Sequence, residues 1–192
     1  MGLFQLETKG GGPLKESPLQ VLLSPHVALP REENYAMDTP MDWKAVDLEA
    51  MIPHRDRMRL IERALAVDEG RSVTEATPTE DWPLYGERSV DVLVTIELVA
   101  QTAALLEGWK RLRAGGGGVS GWLVGIKTAV FARPSLPLGG ALVTEVTMSY
   151  ALEDYAVFMG TVRLGEEVVS TVHIQTVRQE TAAVEGTGQE TQ

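Results

Sequence analysis

The longest run of apolar positions in this chain predicts a helix that is surrounded by other structure. Between Val92 and Leu106, apolar residues occupy almost every side of a 3.6-residue period, whereas a surface helix has one apolar stripe. The pattern extends the helix from about Asp91 to Arg113, with cationic residues in its last turns, where the helix dipole favours them. The glycine run 115–118 then ends it.

On both sides of this helix, short runs rich in β-branched and aromatic residues predict strands. Two runs precede the helix and four follow it, and turn residues separate most of them. The predicted strands are Met58 to Val67, Arg71 to Thr77, Trp122 to Phe131, Leu142 to Tyr150, Tyr155 to Leu164 and Glu167 to Val177. One helix within such a series favours an α+β fold in which a curved antiparallel sheet wraps around the helix.

The two ends of the chain differ from this patterned region. Residues 1–41 contain Gly10-Gly11-Gly12-Pro13 and scattered Pro and Glu without a sustained period, which indicates a flexible extension. The polar segment 179–192 indicates a disordered tail. We therefore expect one folded domain over residues 42–178, and a chain of 192 residues that is 44% hydrophobic can support one core.

Composition excludes several classes of function. A net charge of -10 argues against nucleic acid, whose phosphates attract a basic surface. The absence of cysteine excludes disulfides and thiolate metal sites, and three dispersed histidines do not make a metal site. No apolar run of about eighteen residues is free of charge, so no membrane span is expected. We expect a soluble, cytoplasmic protein that needs no cofactor.

The strongest candidate for chemistry is a carboxylate on the apolar helix. Glu97 and Gln101 are four residues apart and therefore share one side of it. An ionised carboxylate in apolar surroundings costs several kcal/mol unless it is paired, hydrogen-bonded or protonated. Glu97 is therefore predicted to be catalytic, because such carboxylates concentrate in active sites. Gln101 either orients Glu97 or a water molecule, or simply bonds to a neighbouring backbone group.

Three motifs resemble those of the hot-dog-fold 3-hydroxyacyl-ACP dehydratases, the FabZ/FabA-like family. Pro53-His54-Arg55 resembles their Pro-His-Arg opening, residues 97–104 resemble their Glu-x-x-Ala-Gln helix, and residues 131–139 resemble their Phe-x-Arg-Pro-x-x-Pro-Gly turn. The motifs occur in the family order. The resemblance implies a hot-dog fold that pairs into a dimer, with an acyl thioester in a tunnel at the dimer interface.

The chain departs from this family at the catalytic histidine. In the dehydratases a Gly-His-Phe-Pro loop supplies the histidine that takes the proton beside the thioester carbonyl, while the helix carboxylate handles the leaving hydroxyl. Here that position is Pro83, so half of the expected pair is missing. The chain also resembles the divergent ApeP-like branch, which is similar in its Thr95-Ile96-Glu97 helix opening and in lacking this histidine.

Further residues are predicted to contact the substrate. His54 matches a family histidine that is not the catalytic one, so we predict that it contacts substrate rather than acting as the base. Gly125 lies inside a predicted strand, where a glycine permits close approach of a thioester or marks a bulge. Arg133 belongs to a basic set that either docks an acidic carrier protein or CoA phosphates, or is scattered over the surface. The set is Lys110, Arg111, Arg113, Lys127 and Arg133.

Three functions remain open from the sequence. The first is an acyl-ACP dehydratase, or a dehydratase subunit, in fatty-acid or polyene lipid synthesis. The second is a thioesterase for acyl-CoA or acyl-ACP, in which Glu97 activates water and an amide or backbone donor holds the oxyanion. The third is a non-catalytic subunit that completes a dimer with a histidine-bearing partner. In each case the expected partners are an acyl thioester and another hot-dog subunit, identical or different.

Overall fold

A computed structural model describes residue 43, residues 46–115 and residues 120–179 of the chain. The long helix, α2, runs from Val94 to Arg113, and its buried residues face several directions, as the all-round apolar pattern predicts. It begins later than predicted because Asp91 ends a short strand: the Asp91 N–H bonds to the Leu84 carbonyl instead of starting a helical turn.

The remaining elements form two helical turns and two antiparallel sheets. Helix α1, Leu48–Met51, precedes the strands, and a 3-10 turn at Asp56–Met58 follows it. The elements are α1 Leu48–Met51, β1 Arg63–Val67, β2 Arg71–Ala76, β3 Tyr85–Gly86, β4 Ser89–Asp91, β5 Ser120–Phe131, β6 Ser135–Pro137, β7 Leu142–Leu152, β8 Tyr155–Leu164 and β9 Glu167–Gln179. The large sheet has the order β1-β2-β7-β8-β9-β5, and the small sheet has the order β3-β4-β6.

The large sheet confirms the predicted α+β architecture. Its strands pair antiparallel throughout and contact α2 from β2, β5, β7, β8 and β9. Leu98, Leu105 and Leu106 of the helix and Phe158 and Ile174 of the sheet are fully buried in one core. The six predicted strands are all present, with ends that differ by a few residues, but the first was wrong over residues 58–62, which are not in a strand.

Two glycines allow close packing around α2. A Cβ atom on Gly160 of β8 would collide with the Val99 side chain, and one on Gly108 would collide with the Met51 carbonyl. The second contact matters for the site, because Met51 ends α1 and leads into the loop that carries His54. That loop is closed by Arg55, whose guanidinium donates to the Ile52 and Glu49 carbonyls at 2.6 and 2.7 Å.

The predictions for the chain ends lie almost entirely outside the described residues. The extension over 1–41 is not described, and of the predicted tail over 179–192 only Gln179 is, as the last residue of β9. None of the described helices is long and apolar enough to cross a membrane.

Candidate active site

Glu97 lies in the first turn of α2, with a carboxylate that is held from two sides. Its Oε1 atom accepts a hydrogen bond from Gln101 Nε2 at 2.8 Å and lies 3.2 Å from His54 Nε2. The side chain keeps 31% of its surface exposed, so it is half-buried rather than enclosed in the core. A small molecule can therefore reach this carboxylate.

Gln101 combines the two roles that the sequence left open. Its Nε2 donates to Glu97 and to the Met58 carbonyl at 2.6 Å, and its Oε1 accepts from the Leu60 and Ile61 N–H groups at 2.9 and 3.3 Å. The side chain is completely buried. These bonds explain why this segment forms no strand: the backbone groups of Met58, Leu60 and Ile61 bond to an amide side chain on the helix instead of to a neighbouring strand.

His54 contacts Glu97 directly, which sequence reasoning had not anticipated. The imidazole presents Nε2 to the carboxylate, and its Nδ1 is buried without a hydrogen-bond partner among the described residues. The side chain is 26% exposed and lines the same cavity as Glu97. The substrate contact of His54 stays a prediction.

The surroundings of Glu97 act in opposite directions on its pKa. Burial is the largest influence and raises the pKa, but the hydrogen bonds from His54 and Gln101, together with the attraction of the His54 charge, lower it. The net result is a pKa below the ordinary value of 4.5. Glu97 is therefore a carboxylate at neutral pH.

His54→Ala is expected to raise the pKa of Glu97, because burial would then be opposed by Gln101 alone. A carboxyl group whose pKa is lower in the folded protein than in the unfolded chain stabilises the folded protein at pH values above the unfolded pKa. That stabilisation is lost as the pH falls through the folded pKa. Because the pKa of Glu97 is lowered less in the variant, the variant should lose less stability on acidification than the wild type. Titration of the carboxyl ¹³C shift measures the pKa, with His173→Ala in β9 as the control. An unchanged pKa of Glu97 in His54→Ala would contradict this assignment.

A cavity of about 150 Å³ extends from this pair along one face of α2. The helix contributes Glu97, Ala100, Ala104, Glu107 and Arg111, whose spacing of three and four residues places them on one side. At about 1.5 Å per residue this row is about 21 Å long. The other walls come from the loop before His54, the start of β5 and the end of β9. The cavity thus has a polar group at each end and small apolar residues between.

The end distant from Glu97 was missed by sequence reasoning. Arg178 of β9 forms an ion pair with Glu107, with 2.7 Å between Nη2 and Oε2. Burial lowers the pKa of Arg111, Glu107 acts against this effect, and the positive charge of Arg178 lowers it further. The available signal was the position of Glu107, since it follows Glu97 by ten residues on the same helix face, but its partner on β9 is remote in sequence.

The other predicted substrate residues lie elsewhere. Gly125 does not line this cavity; it pairs with Gln175 where the register of β5 shifts, so the alternative prediction of a bulge is confirmed. Arg133 donates to the Ser135 carbonyl at 2.6 Å and pairs with Glu167 at 3.3 Å. Of the predicted basic set, only Arg111 lines the cavity. Substrate contacts by Gly125 and Arg133 stay predictions.

Pro83, at the position of the family histidine, lies in a different place from Glu97. It lines a separate cleft with Trp82, Leu84 and Tyr85, and no residue is shared between this cleft and the cavity. The loop at this position therefore lines a different cavity from Glu97.

A single long helix packed against a large antiparallel sheet defines a hot-dog fold. The family model of the ApeP-like dehydratases matches residues 46–185, and the chain belongs to this family. The resemblance inferred from the three motifs is thereby confirmed.

Solved structures share this fold. The dehydratase heterocomplex ApeI:P from Xenorhabdus doucetiae has a chain that is 20% identical, with a TM-score of 0.66, over 71% of this chain and 93% of that one. An HP0420 homologue from Helicobacter felis is 11% identical, with a TM-score of 0.53, over 67% and 95%. Protein PH1136 from Pyrococcus horikoshii is 19% identical, with a TM-score of 0.51, over 68% and 97%. A search of curated protein sequences finds no match.

Proposed function

We propose that this chain is the carboxylate-bearing subunit of a dehydratase that acts on 3-hydroxyacyl thioesters carried by acyl carrier protein. The observation that carries the proposal is the position of Glu97 in an apolar cavity, while the loop that would hold the family histidine contains Pro83 and lies elsewhere. A second hot-dog subunit would then supply the base. The ApeI:P heterocomplex is a precedent for two different subunits in one dehydratase.

In the proposed reaction the partner's base removes the proton beside the thioester carbonyl, and the hydroxyl on the next carbon leaves as water. The electron pair of the broken C–H bond forms the double bond, and the leaving oxygen takes a proton from Glu97. Bound substrate would cover the exposed part of Glu97 and exclude water from it. Burial already raises the pKa of Glu97, and this additional burial would raise it further. Glu97 would thus take up a proton only when substrate is bound.

The start of α2 is suited to stabilise the thioester end of the substrate. Negative charge develops on the thioester carbonyl oxygen as the C–H bond breaks, and the positive end of a helix dipole stabilises such charge. Glu97 lies in the first turn of α2, so a hydroxyl bound to it brings the carbonyl close to this end.

The edge of the large sheet is the surface where we expect a second subunit to bind. Strand β5 is the outermost strand beside β9, and long exposed edge strands readily pair with another chain. It also begins beside the cavity, which Trp122 and Leu123 line. The large apolar residues that it exposes are Trp122, Leu123, Val124, Ile126 and Val130.

Ile126→Lys is expected to weaken association with the second subunit at least tenfold and to reduce dehydration in parallel. The reason is that a lysine buried in the interface would lose water without gaining a partner, at a cost of about 2 kcal/mol or more. Analytical ultracentrifugation measures the association. Leu152→Lys, at an exposed leucine on β7, is the matched control. Undiminished association of the Ile126 variant would contradict a β5 interface.

Thioester hydrolysis is the second candidate, because the lowered pKa of Glu97 leaves a carboxylate that can activate water. Gln101 cannot hold the oxyanion in that scheme, since both of its N–H groups already bond to Met58 and Glu97. A backbone donor would have to do so. Release of free acid in place of enoyl product would identify this activity.

A further inference from the structure

The end of the cavity distant from Glu97 is lined by two arginines and one glutamate. Arg111 of α2 and Arg178 of β9 both line it, together with Glu107. Arg178 pairs with Glu107, yet its side chain is 38% exposed, so its guanidinium can be reached by a ligand. The side chains that line this end therefore carry two positive charges and one negative charge.

The two arginines are close enough to act on each other. Burial lowers the pKa of Arg111, Glu107 acts in the opposite direction, and the positive charge of Arg178 lowers that pKa further. Two like charges in a partly buried place repel each other, whereas an anion beside them is attracted by both. A guanidinium has five N–H donors, so the contact of Arg178 Nη2 with Glu107 leaves donors for an anion.

The opposite end of the same cavity has the opposite charge. Glu97 is a carboxylate there, because its pKa lies below the ordinary value. Ala100 and Ala104 line the space between the two ends, and their small side chains leave room for a ligand along α2. A ligand with one anionic end is therefore oriented by the cavity, with its anion at the arginines and its uncharged thioester at Glu97.

We propose that Arg111 and Arg178 bind the negatively charged end of the thioester ligand whose reacting end lies at Glu97. The inference rests on the proposed function, which puts a thioester in this cavity. Glu97 precedes Glu107 by ten helical residues and Arg111 by fourteen, which are distances of about 15 and 21 Å.

Two anionic groups of a thioester can reach the arginines. In a 4′-phosphopantetheine arm, about thirteen bonds separate the phosphorus from the sulfur, and they span about 16 Å when extended. A carboxylate at the far end of an acyl chain of about twelve carbons spans a similar distance. Both groups accept hydrogen bonds from a guanidinium in the same way. The experiment therefore has to identify which of them binds.

The test uses two pairs of pantetheine thioesters, and isothermal titration calorimetry measures their binding to the full chain. The first pair carries a 3-hydroxybutanoyl group, with or without the 4′-phosphate. The second pair lacks the phosphate, and its acyl groups of about twelve carbons end in a carboxylate or in a methyl group. The anionic member is expected to bind about tenfold more tightly, since a hydrogen bond between charged groups contributes about that factor. A gain in the first pair identifies the phosphate, and a gain in the second identifies the acyl end.

Arg178→Gln should abolish the gain, because it removes the positive charge that is in excess over Glu107. Glu107→Gln removes the negative charge but keeps an acceptor for Arg178, so it should increase the gain severalfold. A damaged fold cannot produce such an increase, which keeps the test valid if Arg178→Gln does not fold. The matched control is Arg71→Gln, since Arg71 also pairs with a glutamate, Glu145 at 2.7 Å, but lies outside the cavity. It should leave the gain unchanged.

The outcomes separate this inference from the proposed function. Equal binding within both pairs would overturn the inference and leave the dehydratase proposal intact. A gain that persists in Arg178→Gln, or one that Glu107→Gln does not increase, would also overturn the inference. If none of these thioesters bound, both the inference and the proposed function would fail.

Discussion

Glu97→Gln is expected to lower kcat/KM for dehydration by about 10² to 10³, measured on the complex with its partner subunit. Glutamine keeps the size of the side chain and can still accept the contact from His54 Nε2. It cannot deliver a proton to the leaving hydroxyl. The loss should therefore fall on the chemical step, with kcat and kcat/KM reduced together and KM little changed.

The control for this variant is Glu145→Gln, which removes a carboxylate from the exposed surface of β7 and should leave turnover unchanged. Glu97→Asp should recover part of the activity, because it restores an acid at the cost of a shorter reach. A Glu97→Gln complex that turned over like the wild type would remove Glu97 from the mechanism.

Gln101→Leu is expected to lower the free energy of unfolding by about 3 kcal/mol or more. Gln101 is fully buried, and leucine would leave the Leu60 N–H and the Met58 carbonyl without their partner. Each buried polar group left unsatisfied costs about 1–3 kcal/mol. Denaturation in urea measures the change, read from the midpoint at constant slope.

Gln175→Leu on β9 is the matched control, since Gln175 is only partly buried, and its effect should stay within about 0.5 kcal/mol. A loss below about 1 kcal/mol for Gln101→Leu would mean that the segment after the 3-10 turn finds other partners. The conclusion that the hydrogen bonds of Gln101 hold that segment against α2 would then be wrong.

Sequence periodicity predicted the elements that bury continuous apolar surface. The all-round apolar pattern of α2 and the alternation in β7, β8 and β9 follow from packing against one core, so they are visible in the sequence. The small sheet was missed, because β3, β4 and β6 have only two or three residues and no measurable period. The segment 58–62 has strand-like composition, but its Met58, Leu60 and Ile61 backbone groups bond to Gln101 instead.

The candidate site was predictable only where one helix carries it. Glu97 and Gln101 are four residues apart, so their contact follows from helical geometry. The contact of His54 with Glu97 depends on how the α1 loop packs against α2, which no local pattern encodes. The ion pair of Glu107 with Arg178 likewise joins residues that only the complete sheet brings together.

The most direct test of the central claim is reconstitution of dehydration from two subunits. This chain, the histidine-bearing hot-dog subunit of the same organism, and their mixture are each incubated with 3-hydroxyacyl-ACP, and mass spectrometry follows the loss of water. The account predicts enoyl-ACP from the mixture at a rate far above that of either subunit alone, and loss of that gain with Glu97→Gln. Full turnover by this chain alone, or a mixture no faster than the partner alone, would contradict it.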